Sequence, residues 1–211
     1  MRWVAEPTSR REQRFFACST LWVARELLGD LLVARSAAGV TCGRIVETEA
    51  YLGGDDLASH AARLKHGNVA AMSGPPGIAY VYRSYGIHVM LNVVCEPAGQ
   101  TGAVLLRALA PLTGLDLMRE RRGVTDERLL CRGPGRLCQA LDVTLGDHGL
   151  DLTTSDRLWI EPGRQPAKVA SGRRIGITRG TESPWRFFDA DSPFVSAHRR
   201  GESLREVDGR S

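Results

Sequence analysis

Apolar and polar positions follow two rhythms along the chain: short apolar or alternating blocks that suit strands, and a few longer stretches that suit helices. Thr20 followed by LWVARELLG reads as a short helix closed by Gly29. Strands are predicted at 30–35 and 41–51. After the polar stretch 53–73, the GPPG of 74–77 is a turn, and IAYVYRSYGIHVMLNVV (78–94) is a hairpin with its tip near RSYG. TGAVLLRAL (101–109) reads as a further apolar strand. Thr113 and Asp116 stand at capping-box spacing and open a helix through about Arg122. RGPGRLCQALDV (132–143) reads as another, with Pro134 suited to its first turn. Strands at about 157–161 and 173–178 follow, then an irregular aromatic segment at 183–196. The expected organisation is a loose arm at 1–14, one folded domain at 15–198 and a disordered tail at 199–211. The sum is a single α+β domain with a mostly antiparallel sheet flanked by helices.

Composition narrows the chemistry. A length of 211 residues suits one domain. The net charge of +4 is carried almost wholly by arginine, since Lys65 and Lys168 are the only lysines among 28 basic residues. Few amines are therefore available for Schiff-base catalysis. Five cysteines without a CxxC pair suggest neither a disulfide framework nor a zinc ribbon, and fit a reduced, cytoplasmic protein. The start of the chain has no apolar core of signal-peptide length, and residues 21–34 are interrupted by Arg25, Glu26 and Asp30, so no membrane span is expected. Walker A, GxGxxG, HExxH and GxSxG motifs are absent, and the chemistries they serve lose support.

The densest group of titratable side chains lies in RIVETEAYLGGDDLASHA (44–61). Alternation along a strand puts Glu47, Glu49 and Tyr51 on one face and Val46, Thr48 and Ala50 on the other. Asp55, Asp56 and His60 follow closely. In the hairpin, Tyr85 sits in the turn beside Gly86, either packed back on its own strands or projecting as a wedge between stacked bases. Arg107, inside the apolar AVLLRAL, needs an anionic partner, and Glu49 is the candidate.

These segments, with MSGPPGIAYVYRSYGIHVMLNVV (72–94), AVLLRAL (103–109), GPGRLCQAL (133–141) and RIGI (174–177), closely resemble the alkyladenine (3-methyladenine) DNA glycosylase family, AAG/MPG type. The resemblance covers roughly residues 20–197. It implies a curved antiparallel sheet of the AAG type, similar to the C-terminal domain of FMT, with a protruding DNA-intercalating hairpin. It also implies a monofunctional enzyme that takes damaged purines out of double-stranded DNA. On this resemblance Glu49 is the general base that activates water, and Arg107 and the Ile175 main-chain carbonyl help to hold that water. Pairing with Arg107 is expected to keep Glu49 ionised. Tyr51, Tyr82 and His60 would sandwich the base, and Asn92 would test the purine 2-position. Tyr85, Ile87, His88, Arg122 and Arg136 would contact DNA, the GPGR turn adding helix N–H groups that favour phosphate. A monomer without cofactor or AP-lyase activity is implied, bacterial and nucleoid-associated when bound to DNA.

Read residue by residue, Glu47 is expected to be structural and hydrogen-bonded, and Asp55 and Asp56 to sit in a solvated loop. The remaining histidines show no metal spacing, so no metal is expected. The arginines of 119–136 alternate with acids as on a solvated face, and only Arg122 and Arg136 gain from the resemblance. The segment 61–68 departs from the family pattern. Two other readings stand at this point: a metal-dependent nuclease using Glu47, Glu49, Asp55 and Asp56, which predicts EDTA sensitivity, and a lesion-binding protein without turnover.

Overall fold

The computed structural model describes residues 10–60, 72–97 and 99–196, together with the backbone of Arg205–Glu206. Its strands are β1 (Leu31–Ser36), β2 (Gly39–Tyr51), β3 (Ala79–Ser84), β4 (His88–Val94), β5 (Ala103–Thr113), β6 (Leu158–Glu161), β7 (Val169–Gly172), β8 (Arg186–Asp189) and β9 (Arg205–Glu206). The helices are α1 (Gln13–Phe16), α2 (Thr20–Glu26), α3 (Leu115–Arg122), α4 (Glu127–Leu130) and α5 (Pro134–Leu141). The fold is α+β, a single domain built on a curled antiparallel sheet in the order β3-β4-β5-β2-β8-β7-β9.

The long strand β2 organises everything else. One edge pairs with β5 along most of its length; the other pairs first with β1, through Gly39 to Arg44, and then with β8, through Glu47 to Glu49. Serving two partners on one edge forces the sheet to curl. Opposite them the ladder with β5 shifts register at three places, and two of the shifts compensate: Ile45 pairs with Leu109 and Glu47 with Ala108, leaving Val46 as an extra residue, and Thr48 then pairs with Leu106, leaving Arg107 extra on β5. Bulges of this kind re-aim side chains and recur beside active sites. Here they set Arg107 between Glu47 and Glu49.

The main core lies between the sheet and the helices. Val23 and Ala24 of α2 with Leu27 and Leu28 beyond it, and Leu137, Cys138, Ala140 and Leu141 of α5, are buried against Leu32, Ile45, Leu91, Leu106 and Leu109. The i, i+3 and i+4 spacing of these positions makes each helix one-sided. A smaller cluster of Met72, Tyr80, Val94 and Ala103 lies beneath the hairpin. Among the described residues no helix is long and apolar enough to cross a membrane.

Several expectations change. Thr113 does not cap α3: it is the last residue of β5, opposite Cys42, and Gly114 caps the helix with φ +73°. A Cβ there would lie 2.5 Å from the Val40 carbonyl oxygen, so only glycine lets the strand turn so tightly into the helix. Thr20 is likewise the first helical residue, and the carboxylate of Glu96 accepts from its amide at 2.6 Å. The strand expected at 173–178 lies earlier, at Val169–Gly172. Beyond it side chains take the backbone groups: Arg186 donates to the Arg173 carbonyl at 2.9 Å, and Glu49 accepts from the Ile175 amide. The segment 183–196 is not wholly irregular, for it contains β8. Within the tail expected to be disordered, Arg205–Glu206 pairs with Ser171 and Ala170 of β7, which extends the sheet by one strand. The loose arm expected at 1–14 is held from Arg11 onward, where Arg11 pairs with buried Asp30 at 2.8 Å and α1 begins at Gln13; residues 1–9, the rest of that tail and the segment 61–71 lie outside the described residues.

Candidate active site

Glu47 and Glu49 are both fully buried, and one arginine reaches both. Arg107 Nε lies 3.3 Å from Glu47 Oε1, and its Nη1 lies 3.2 Å from Glu49 Oε1. The expected Glu49–Arg107 pair is present but shared. Glu47 has further partners: Arg186 Nη1 at 3.1 Å, the Ser196 amide at 2.8 Å and the Ser196 hydroxyl at 2.7 Å. Burial alone would raise its pKa, but Arg107, the two Ser196 donors and Arg186 outweigh burial and hold the carboxyl below the usual range. Glu47 is the hydrogen-bonded anion it was expected to be.

Glu49 sits differently. It accepts from the Ile175 amide at 2.6 Å and from the Tyr51 hydroxyl at 2.8 Å. Complete burial pushes its carboxyl above the ordinary value, against the opposing pull of Arg107, the Ile175 N–H and the Tyr51 hydroxyl. Arg107 lowers the Glu49 carboxyl as expected, but its guanidinium is shared with Glu47 and burial outweighs it. Ile175 meets Glu49 through its amide N–H. A carboxylate offers about four acceptor positions, so the three donors leave Glu49 room to accept from one water.

Beside Glu49 a recess of about 260 Å³, including its open mouth, is lined by Tyr51, Ala58, His60, Met72, Tyr80, Tyr82 and Asn92. The four expected base-binding residues thus come together. Burial pushes the phenols of Tyr80 and Tyr82 up to about 12, so both rings are neutral under ordinary conditions. The Tyr80 hydroxyl lies 2.8 Å from His60 Nδ1, and the Asn92 amide donates to the Tyr80 carbonyl at 3.1 Å. The His60 and Tyr82 rings meet edge-on with centroids 4.5 Å apart. A planar base between two rings needs them about 7 Å apart, two stacking distances of about 3.5 Å. In this structure the His60 and Tyr82 rings stand closer than that, so the slot is closed.

The hairpin tip projects away from the sheet. Tyr85 is 86% exposed and Ile87 75% exposed, so Tyr85 does not pack back on its own strands. Both central residues of the turn have positive φ, +49° at Tyr85 and +71° at Gly86. A bulky aromatic in that region is strained, and such strain concentrates where function requires it. At the hairpin's base, exposed His88 abuts the first turn of α5: a Cβ on Gly135 would lie 3.1 Å from the His88 Cβ. Pro134 is in that first turn as expected, and Gly133 leaves the helix start without a side-chain cap. Arg136 is exposed on the same turn. Arg122 is its neighbour, its pKa lowered by burial and then by the charge of Arg136. The Leu130 carbonyl, 3.1 Å away, and the Gln139 side chain hold Arg122 in place. His88, Arg122 and Arg136 accordingly form one basic border beside the tip.

Sequence reasoning missed Arg174, Arg186 and Ser196 and misread two residues that it did name. Asp56, expected in a solvated loop, is buried, with both oxygens bound to Arg174 at 2.6 and 2.7 Å. Only Asp55 of the pair is exposed. The partners lie 118 residues apart in a loop and a non-repetitive segment, and no local pattern announces such a pair. Tyr80 was placed on a strand face, but its hold on His60 was not foreseen.

The family model for "Methylpurine-DNA glycosylase (MPG)" matches residues 14–193. A protein of Nitrosospira multiformis is 49% identical over 181 residues, covering 86% of this chain and 91% of that one. One from Rhodopseudomonas palustris (strain BisB18) is 50% identical over 186 residues, covering 88% and 90%, and one from Chlorobaculum parvum is 48% identical over 190 residues, covering 89% and 90%. Each carries the name "Putative 3-methyladenine DNA glycosylase". With the match spanning the sheet, the buried glutamates and the exposed hairpin alike, the chain belongs to the methylpurine-DNA glycosylase family.

Proposed function

We propose that the protein is a monofunctional DNA glycosylase that flips alkylated or deaminated purines, of the 3-methyladenine, 7-methylguanine, hypoxanthine and ethenoadenine class, out of duplex DNA and hydrolyses their N-glycosidic bond. The observation that carries this reading is the placement of Glu49, held by Arg107 and the Ile175 amide and bound to Tyr51, whose ring lines an aromatic recess. Flipping costs a few kcal/mol. Tyr85, presented in water on a strained turn, is suited to fill the gap left in the stack, with Ile87 beside it. His88, Arg122, Arg136 and the open start of α5 supply contacts to the phosphates.

The flipped base enters between Tyr51 and Tyr82 on one side and His60 on the other once the His60 and Tyr82 rings part. Stacking contributes about 1–3 kcal/mol per base, and a cationic alkylated purine gains further from the ring faces. Asn92, on the wall of the recess, tests the purine 2-position. Glu49 then takes a proton from water as the water oxygen bonds to C1′, and the C1′–N9 bond breaks with its electron pair going to the base. The carboxylate also opposes the positive charge that develops on the sugar, as in glycoside hydrolysis. Arg107 orients Glu49. The products are free base and an intact abasic strand, with water rather than an amine as nucleophile. The enzyme works as a monomer.

A metal-dependent nuclease would need the same carboxylates as ligands. Glu47 is committed to Arg107, Arg186 and Ser196, and Asp56 to Arg174, so neither is available to a cation without breaking a buried ion pair. The test is single-turnover release of hypoxanthine and, separately, 3-methyladenine from duplex DNA in EDTA, comparing wild type with Glu49→Gln. Free base and an uncut abasic strand from wild type, lost in the variant, are expected. Strand cleavage restored only by added metal, or binding with no release, would overturn the proposal.

A further inference from the structure

Asp56 and Arg174 form a buried ion pair that ties the strand carrying Glu49 to the two loops beside it. Arg174 Nη1 donates to Asp56 at 2.6 Å and to the Ala50 carbonyl at 2.9 Å, and Nη2 donates to Asp56 at 2.7 Å and to the Gly180 carbonyl at 3.2 Å. Ala50 lies on β2 between Glu49 and Tyr51. Gly180 lies further along the same loop between β7 and β8, so the guanidinium closes the first part of that loop on itself and pins it to the strand. The guanidinium carbon also lies over two rings, 4.7 Å from the Tyr51 centroid and 4.9 Å from that of Trp185. Asp56 in turn accepts from the amides of Leu52 and Ala58, each at 3.1 Å, and so shapes the loop that leads to His60.

We propose that the Asp56–Arg174 pair is the positioning clamp of this site: it holds the Ile175 amide on Glu49 and the Tyr51 ring in the plane where the base stacks. The inference rests on the glycosylase reading for its kinetic consequence, but its structural part stands apart from turnover. Ile175 directly follows Arg174, so its N–H can stay 2.6 Å from Glu49 only while the Arg174 head group is anchored. A planar fork with two parallel bonds, set over two rings, is a role lysine cannot fill.

The groups that face Glu49 are Arg107 from β5, Tyr51 and Glu47 from β2, the phenol of Tyr82 from β3, and the Ile175 amide. Of these the clamp governs the amide and the Tyr51 hydroxyl. Loosening it weakens donors that favour the carboxylate, so Glu49 titrates at higher pH. The effect of one hydrogen bond to a charged group is about one pH unit.

The experiment compares wild type with Arg174→Lys and with the double variant Asp56→Asn/Arg174→Gln, which leaves no buried charge unpaired. The Glu49 carboxyl is titrated by ¹³C NMR, its resonance assigned by loss in Glu49→Gln, and single-turnover hypoxanthine release is followed against pH with duplex affinity measured in parallel. The expected result is a Glu49 midpoint and an acid limb both moved up by about one pH unit. Release at saturating enzyme falls about 10- to 100-fold, while duplex affinity stays near wild type because the DNA-contact residues lie elsewhere. A folded variant with the wild-type midpoint and release rate overturns the clamp. If wild type itself releases no base while the midpoint still moves in the variants, the clamp stands and the glycosylase reading falls.

Discussion

Exchanging the two buried glutamates one at a time should separate stability from turnover. Glu47 and Glu49 share Arg107 and the same degree of burial, yet their surroundings push their pKa values in opposite directions. Glu47→Gln removes a charge on which Arg107 and Arg186 both depend, and 0% of the Arg186 side chain is exposed to water. Breaking a buried pair by neutralising one partner costs about 3–5 kcal/mol. For a chain of this size each kcal/mol moves Tm by about 2–4 °C, so Glu47→Gln should melt on the order of 6–20 °C lower. Glu49→Gln mimics the protonated acid that burial favours, and its stability at pH 7 should lie within about 1 kcal/mol of wild type or above it. The signs extend to pH. A carboxyl held low, as in Glu47, contributes stability that is present above its ordinary value of 4.5 and lost as pH falls through the folded value. A carboxyl held high, as in Glu49, contributes stability below 4.5 that is lost as pH rises through its folded value. Removing Glu49 should therefore flatten the neutral-side loss, and removing Glu47 the acid-side loss. Urea melts of the three proteins at pH 4.5, 6 and 7.5, alongside single-turnover release, measure both. Equal destabilisation by the two variants, or a Glu47→Gln protein as stable as wild type at pH 7.5, would refute this division of roles.

Three further outcomes are expected. Tyr85→Ala, at a position 86% exposed, should leave stability within about 0.5 kcal/mol but slow release from duplex DNA about 10-fold through the lost stacking; equal slowing on a single-stranded substrate would argue against a wedge. Arg122→Ala and Arg136→Ala should each reduce the slope of log K against log salt by about 1, in binding titrations with undamaged duplex, and an unchanged slope would remove that residue from the DNA border. The release rate of wild type should fall with acid at a midpoint above 4.5, since burial raises Glu49; a profile flat down to pH 4.5 would exclude Glu49 as the titrating base.

Much of the site was legible in local sequence because its residues lie on regular strands. Glu47, Glu49 and Tyr51 share a face by simple alternation, and both glutamates do reach Arg107. The hairpin could be read from the turn residues between its two apolar runs, and its tip fell within the predicted RSYG. Where side chains replaced the backbone ladder, periodicity misled: the 173–178 segment looked like a strand, but its carbonyls and amides serve Arg186 and Glu49. The helix start at Gly114 escaped a capping rule because strand pairing already held Thr113.

What the sequence by itself determined was the long strands and hairpin that carry the site, the acidic strand face and the family to which those motifs belong. What only the tertiary structure decided was how charge is shared within the site. Whether Arg107 serves one glutamate or two, and whether Asp56 meets water or Arg174, depends on bulge positions and on loops brought together from 118 residues apart. The closure of the slot between His60 and Tyr82 belongs to the same class. Electrostatic and packing interactions act through space at a few ångströms, and the chain encodes those distances only through the complete fold.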